Sequence, residues 1–461
     1  MMRQLLLLVV TAMLALTVAQ EAAAQTPTAP PSRAPIVEAQ APPTPRALSL
    51  REAVGIAVRQ HPNVRGADAR VRGLEAQIDV TRAAYLPTVS GTLTGAVGHT
   101  NRPVLPDVRV QSTYGVAEAS LTGQALVYDF GRTANAVRAA EQAHAAGTAD
   151  ANVLRYQVAL DAANRYLLVL SDRELVEVAR VTLRQRELQA NVTRELVARG
   201  LRPALDQNRA QLEIDIAGFE IEAAEARVAQ DLAALAASLG LDPSTPLALQ
   251  ALDPTNLGVD PDLQRAAAAA QIHRPEIQAA RAHLEHDRAR IDATRALARP
   301  VLSVLANGVI NRQDVISGYG LAGFSETVQA GALLSVPVLD FTVSPRVRVT
   351  ESERDSAEQA LHAQLLTVRA EATQAAIAAR AAESMHVRAE HILRSATLNL
   401  NLAQERYAQG VSPLIEELIE AQSREQTARV NLVGARLSLQ LARIQLLAAT
   451  HGARFPEHLG E

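Results

Sequence analysis

Three phrases in this chain have the residue types and spacing of a reactive site. Gly318 to Gly323, read GYGLAG, fits the G-x-G-x-x-G pattern with which a strand-to-helix turn brings bare backbone against a pyrophosphate. Asp129-Phe130-Gly131 spells the triplet whose aspartate holds Mg2+ in protein kinases. His283 and His286 stand three residues apart, close enough on a helix to share a transition metal. None has the setting its chemistry requires. The glycine phrase falls in a loop between two alternating segments, kinase chemistry needs a lysine and the sequence contains none, and two exposed helix histidines are the simpler reading of the pair. Cysteine is absent too, which excludes disulfides, thiol nucleophiles and a lipid-modified N-terminal cysteine. All 45 basic residues are arginine, and against 49 acids they leave a net charge of -4 that offers a nucleic acid no electrostatic attraction. The sequence therefore predicts no catalytic constellation, no cofactor and no metal: the chain is not an enzyme.

What the residues do specify is architecture. The chain is 48% hydrophobic but only 3% aromatic, with alanine supplying much of the apolar count, so bulky cores are not its theme. Arg3, the apolar run Leu5 to Ala19 and the small residues Ala22-Ala23-Ala24 predict a signal peptide over 1–24. That run is shorter than the ~20 residues of a spanning helix, and no later stretch is long and apolar enough to span as one. Residues 25–46 are rich in proline and predict a flexible, extended N-terminal segment.

The rest is written twice. IDVTRAAYLP (78–87) returns as IDATRALARP (291–300), and at the same offset of 213 Ala53, Pro62, Ala67, Ala76, Ser90 and Gly95 meet identical residues. The predicted units are 47–240 and 263–452, joined by a linker at 241–262 and followed by a tail at 453–461. Each opens with a helix, marked in the first by the capping box Ser49-x-x-Glu52, and Pro62 or Pro275 breaks it. After Pro87 and Pro300 the period changes from helical to two, with Val89, Leu93 and Val97 or Leu302, Val304 and Ile310 on a dry side. Four strands follow, at about 87–97, 114–128, 300–310 and 326–339, with 98–113 and 311–325 read as polar, turn-rich connections. Tyr85, Tyr114, Tyr128, Phe130, Tyr319, Phe324 and Phe341 lie near the strand ends, as an interfacial girdle would. Such strands fit an outer-membrane barrel with lipid on one face and water on the other, although a half-buried soluble sheet alternates in the same way. Since single-chain barrels begin at ~8 strands, four require several chains to share one.

Between 131 and 199 the only interior glycine is Gly147 and there is no proline, so a helix of 69 residues would reach about 100 Å. Gly200 with Pro203, and Gly410 with Pro413, predict a stop and a restart, with returning helices over 203–239 and 413–449. The returning helix has two heptad seams, Ile214, Ile221, Val228 and Leu235 beside Leu212, Phe219, Ala226 and Ala233. Seams on nearly opposite sides give a helix two neighbours, as in the staves of a cylinder.

With this plan, the phrases VYDFGRTANAVRAAE, ARGLRPALDQNRAQLE and YAQGVSPLIEELIEAQ make the chain resemble the TolC family of outer-membrane efflux proteins over nearly all of 47–452. DFTVSPRVRVTE departs from the glycine-containing phrase of that family at the second strand-to-helix junction. The resemblance implies a mainly α protein with membrane β: a homotrimer whose twelve strands form one barrel in outer-membrane lipid, continued by a long periplasmic α-helical barrel. It implies a Gram-negative outer-membrane exit duct of a tripartite efflux or type I secretion system, docked to a periplasmic adaptor and an inner-membrane pump. Gating is expected at the periplasmic tips, where Asp206, Glu416, Glu417 and Glu420 are candidates to ring the closed pore; a solvated helix end explains any one of them equally well. Gly200, Leu201, Pro203, Gly410, Val411 and Pro413 are the turn residues an adaptor would touch. The alternative is a periplasmic adaptor-like coiled-coil protein, which would carry β-rich segments at its ends rather than hairpins inside each unit.

Overall fold

The computed structural model describes residues 47–105, 108–251, 262–318, 322–408 and 415–458. The signal-peptide and proline-rich predictions, most of the linker, Tyr319, Gly410, Val411, Pro413 and the last three residues lie outside them.

Helix α1 (Leu50–Gln60) starts at the capping box: the Glu52 N–H donates to Ser49 Oγ at 3.3 Å, and the Ser49 N–H donates to the Glu52 carboxylate at 3.0 Å. Pro62 lacks an N–H to continue α1 and instead opens α2 (Pro62–Arg82), with His61 extended between them at φ -58° and ψ 130°. The second unit repeats this break with Arg274 between α5 (Leu263–His273) and α6 (Pro275–Arg295). A single 3-10 turn then feeds each strand pair, Ala83–Tyr85 before β1 (Thr88–Leu105) and Ala296–Ala298 before β3 (Val301–Gly318).

The four strands, including β2 (Val108–Tyr128) and β4 (Gly323–Ser335), form one antiparallel sheet in the order β1-β2-β3-β4. Register separates two faces. Val89, Gly123, Ala306 and Ala330 lie across from one another, then Gly91, Leu121, Gly308 and Val328, so one face is apolar. The other carries Ser90, Thr122, Asn307 and Gln329, with a hydrogen bond from Thr122 Oγ1 to Asn307 Oδ1 at 3.2 Å. The apolar face is open to its surroundings, with Leu93 78% and Val328 86% exposed on the single chain. A charged fringe of Arg312, Asp314 and Glu326 ends it, Arg312 donating to Asp314 at 2.9 Å.

The strands are longer than their alternation predicts. Most of 98–113 and 311–325, expected as turns, is strand, and Tyr114 lies within β2 rather than at its end. Beyond Val97 the apolar face turns polar too, with His99 across from Thr113 and Asn101 across from Gln111, so ladder hydrogen bonds continue where the hydrophobic pattern stops. Tyr114 lies over Gly98 in the facing strand, where a Cβ would sit 2.6 Å from its ring. At the other end, β4 finishes at Ser335, short of the expected 339, before Pro337.

Each hairpin leads into a long helix. In the first, Phe130 and Gly131 take positive φ while the Asp129 carboxylate accepts the Gly131 and Thr133 N–H groups at 3.0 and 2.6 Å, opening α3 (Arg132–Ala198). Burial pushes the Asp129 carboxyl up, but the hydrogen bonds from Thr133, Gly131 and Arg132 outweigh it and hold the pKa below the usual value. In the second, Asp340 accepts the Thr342 N–H at 2.8 Å, and α7 (Val343–Ala408) holds Pro345 in its first turn, where no intrahelical donor is required. That arrangement replaces the glycine absent from DFTVSPRVRVTE.

The returning helices are α4 (Ala204–Ser238) and α8 (Ile415–His451), the latter followed by a 3-10 segment, Gly452–His458. Along α3 pack α2 and α4 in succession, with α6 and α8 also against it; α7 is flanked by α6 and α8. Two shorter helices therefore accompany each long one. Alanines line the seams, with Ala162, Ala163, Ala224 and Ala376 almost wholly buried, which permits interaxial distances at the short end of ~8–10 Å. Midway along α3 the packing is driest: Tyr166, Leu167, Leu235, Ile444 and Phe455 share one core. There Tyr166 Oη lies 2.7 Å from both the Leu48 and Gln250 carbonyls, pinning the parallel bridge between Leu48 and Leu249. Gly240 (φ 75°) closes α4 against the backbone of His61, and Gly452 (φ 55°) closes α8 against that of His273, so both breaks are seated on a glycine.

Candidate functional site

At the end of α3 the Gly200 N–H donates to Val197 O and the Leu201 N–H to Leu196 O, both at 2.9 Å, and Gly200 takes φ 72°. This is a Schellman-type stop, and Pro203 then precedes the first residue of α4. Leu201 and Leu205 stand 66% and 57% exposed beside it. The companion turn contains Gly410, Val411 and Pro413 and lies outside the described residues; its flanks are Tyr407 on α7 and Glu416 on α8.

The four acids do not share one environment. Asp206, in the first turn of α4, is buried. Glu416, Glu417 and Glu420 are accessible, and each has an arginine partner: Arg209 at 2.5 Å, Arg406 at 3.0 Å and Arg424 at 2.6 Å, respectively. Its own backbone N–H and the Arg209 guanidinium hold Glu416 below the usual carboxylate range. The three accessible glutamates at this end are therefore balanced within the chain, and like-charge crowding is weaker than their sequence implies.

Two of these contacts join the two units. Arg209 on α4 meets Glu416 on α8, and Arg202, in the first turn, stacks 4.7 Å over the ring of the buried Tyr407. Further polar rungs climb the same seam. Buried Arg186 on α3 donates to Gln422 on α8 and lies 3.4 Å from Glu213 on α4; Gln426 donates to Glu220 at 2.9 Å; Arg436 pairs with Glu174 at 2.8 Å. The partners on α8 stand more than 200 residues from theirs and carry no sequence signal of their contact; only the duplication hints that α8 returns against the first unit, where it packs on α3 and reaches α4 through side chains. Between α7 and α8 a groove of about 880 Å³ opens beside the turn, lined by Arg388, His391, Asn399, Arg406 and Arg424.

The three decoy phrases are placed without a common centre. Asp129-Phe130-Gly131 is the β2-to-α3 turn, Gly318 ends β3 opposite Ser112, and Gly323 begins β4 opposite Gln313. His283 points at Asp150, 2.9 Å away, and His286 at the Ala139 carbonyl, so the pair does not converge.

Comparison with known proteins agrees with this plan. The model of the outer membrane efflux protein family matches residues 53–241 and 266–452. The chain belongs to the outer membrane efflux protein family. Like that family's members it is a passive outer-membrane channel component and not an enzyme. It is similar to protein CyaE of Bordetella pertussis, 28% identical over 410 residues that cover 87% of this chain and 84% of that one. It is 25% identical to the toluene efflux pump outer membrane protein TtgC of Pseudomonas putida, covering 89% and 84%. Among solved structures, CusC superposes with a TM-score of 0.74 at 18% identity over 87% of this chain and 92% of that chain. The open state of the MtrE outer membrane channel of Neisseria gonorrhoeae gives 0.68 at 19%, over 88% and 89%. Efflux proteins of this family are trimeric and work with adaptors and inner-membrane pumps. No helix among the described residues is long and apolar enough to cross a membrane.

Proposed function

We propose that three copies of this chain close their sheets into one twelve-stranded barrel in a Gram-negative outer membrane and their helices into a periplasmic tunnel, forming the exit duct of a tripartite efflux or type I secretion system. The observation that carries this reading is the sheet itself: four strands with two unpaired edges and faces of opposite polarity, running directly into long staves. The second heptad seam supports it, since Leu212 and Phe219 are 57% and 73% exposed on one subunit and suit a neighbouring stave. In this reading an adaptor touches the turns at Gly200, Leu201 and Pro203 and at Gly410, Val411 and Pro413, and hands over solutes expelled by an inner-membrane pump. The gate is the periplasmic tip, with Asp206, Glu416, Glu417 and Glu420 around it. It opens when the two turns of a subunit part, which requires Arg209 to leave Glu416 and Arg202 to leave Tyr407.

Fractionation and planar-bilayer recording test this together. Recovery in the outer membrane as an SDS-resistant trimer that forms pores, with higher conductance in an Arg202→Ala, Arg209→Ala variant, is the expected result. A soluble or inner-membrane monomer without a pore overturns it.

A further inference from the structure

In the rows nearest the helices the polar face of the sheet is nearly neutral; by register the next charge on it along β1 is Arg102, eight residues beyond Thr94. Through the rows between Thr88 and Thr94 it presents hydroxyl and amide side chains with a few apolar ones, and a single ionisable residue, Glu118 on β2. Glu118 is paired across the sheet with Thr94 on β1 and Asn311 on β3, and Asn311 with Ser325 on β4. None of these neighbours can neutralise a carboxylate. Glu326, in the adjoining stretch of β4, belongs to the opposite face.

We infer that Glu118 sets the charge selectivity of the barrel, favouring cationic over anionic solutes. This rests on the trimeric-barrel reading above. Twelve strands ~4.8 Å apart and tilted ~40° give a radius of about 12 Å, and a glutamate reaching inward holds its charge about 8 Å from the axis. Three such charges, interacting as in water with a Debye length of ~10 Å at 0.1 M salt, weight cations over anions on the axis by about tenfold. At 1 M, where the Debye length is ~3 Å, the same sum falls below about twofold. The filter is thus soft and strongly dependent on salt. It acts at a different level from the tip, where the three accessible glutamates are already paired with arginines.

The cysteine-free chain permits a direct test. Glu118→Cys and, one residue along on the other face, Ala119→Cys are each reconstituted in planar bilayers, and the reversal potential is read in a KCl gradient in dilute salt. Expected is a several-fold loss of cation preference in E118C, its recovery with an anionic thiol reagent and its inversion with a cationic one, with no response in A119C. The difference should shrink to less than about twofold in 1 M salt. Equal selectivity of wild type and E118C under both reagents overturns the assignment, as does reaction at A119C alone, which would reverse the faces. If no pore forms even in the wild type, the barrel reading itself fails, so the two failures are distinguishable.

Discussion

Four glycine-to-alanine substitutions should rank by what a methyl group meets at each site. Gly66 lies inside α2 with no other atom within 4 Å of an added Cβ, so Gly66→Ala should stabilise the protein by about 0.5–1 kcal/mol through the unfolded chain's lost freedom. Gly200 is equally open but has φ 72°, and Gly200→Ala should lose about 1–2 kcal/mol for the left-handed conformation alone. Gly240 has φ 75° and would place its Cβ 2.8 Å from His61 Cα, so an overpacking loss of about 1–3 kcal/mol adds to the same backbone term. Gly452 is tightest: the new carbon would lie 2.1 Å from the His273 carbonyl oxygen and 2.7 Å from its carbon. Neither atom can rotate away as a side chain would. Gly452→Ala should therefore be the most damaging of the four and Gly240→Ala the next. Thermal and denaturant unfolding of the purified oligomer, followed by helix signal, gives the order. If Gly452→Ala is no worse than Gly200→Ala, the backbone contact at the α5–α6 break does not bear on stability and the seating of both breaks on glycine is wrong.

Tyr166→Phe removes the one hydroxyl proton shared by the Leu48 and Gln250 carbonyls and should destabilise by about 1–2 kcal/mol, with earlier proteolysis just after residue 46. Asp172 is held up to about 6 by burial, then by the hydrogen bond and charge of Asp231, against a lowering effect of Arg227. Its folded pKa thus exceeds the unfolded value of about 3.9, so the native state keeps a proton there and stability should fall as pH rises through ~4 to ~6, then level off. Asp172→Asn should flatten that window in pH-dependent denaturation; an unchanged profile would assign the proton elsewhere. Arg186→Ala, which strands Gln422 and Glu213 at a buried junction, should destabilise by about 3 kcal/mol or more, whereas removing the exposed partner of Arg82, Glu141, should change stability by less than about 1 kcal/mol in the same unfolding assay.

The sequence made the repeating plan readable because its signals are local. Ser49 and Glu52 cap a helix, Pro62 and Pro275 cannot lie inside one, and Val89 to Val97 alternate at the period of a strand. The outer halves of the hairpins were not readable for an equally local reason. Once His99, Asn101, Gln111 and Thr113 make the dry face wet as well, a paired strand and a polar loop have the same composition. The proposed gate was only partly readable. Glycine and proline mark the turns, and the acids nearby are visible, but acidity in a sequence does not disclose that Arg209, Arg406 and Arg424 cancel it. Nor does the heptad pattern distinguish the seam closed within a subunit, along Ala217 and Ala224, from the seam at Leu212 and Phe219 that a single chain leaves open.

The two ends of the helical staves are held by different forces, and this bears on where the duct can move. Midway along α3, Tyr166, Leu167, Leu235, Ile444 and Phe455 exclude water, and the glycine-seated breaks fix α1 to α2 and α5 to α6 around them. Toward the turns the apolar core shrinks to Leu400, Ala403, Tyr407 and Leu418, and beyond the buried Arg186–Gln422 rung the ion pair that joins the units, Arg209 to Glu416, is one that water can reach. Separating the dry region would expose apolar surface at about 25 cal/mol per Å², whereas an exposed ion pair exchanges its partner for water at ~1 kcal/mol or less. A motion that opens the tip while the middle stays closed is therefore the inexpensive one. Each subunit can splay about its own dry region, and the barrel above, tied by continuous ladders from β1 to β4, need not change its register for the periplasmic end to open.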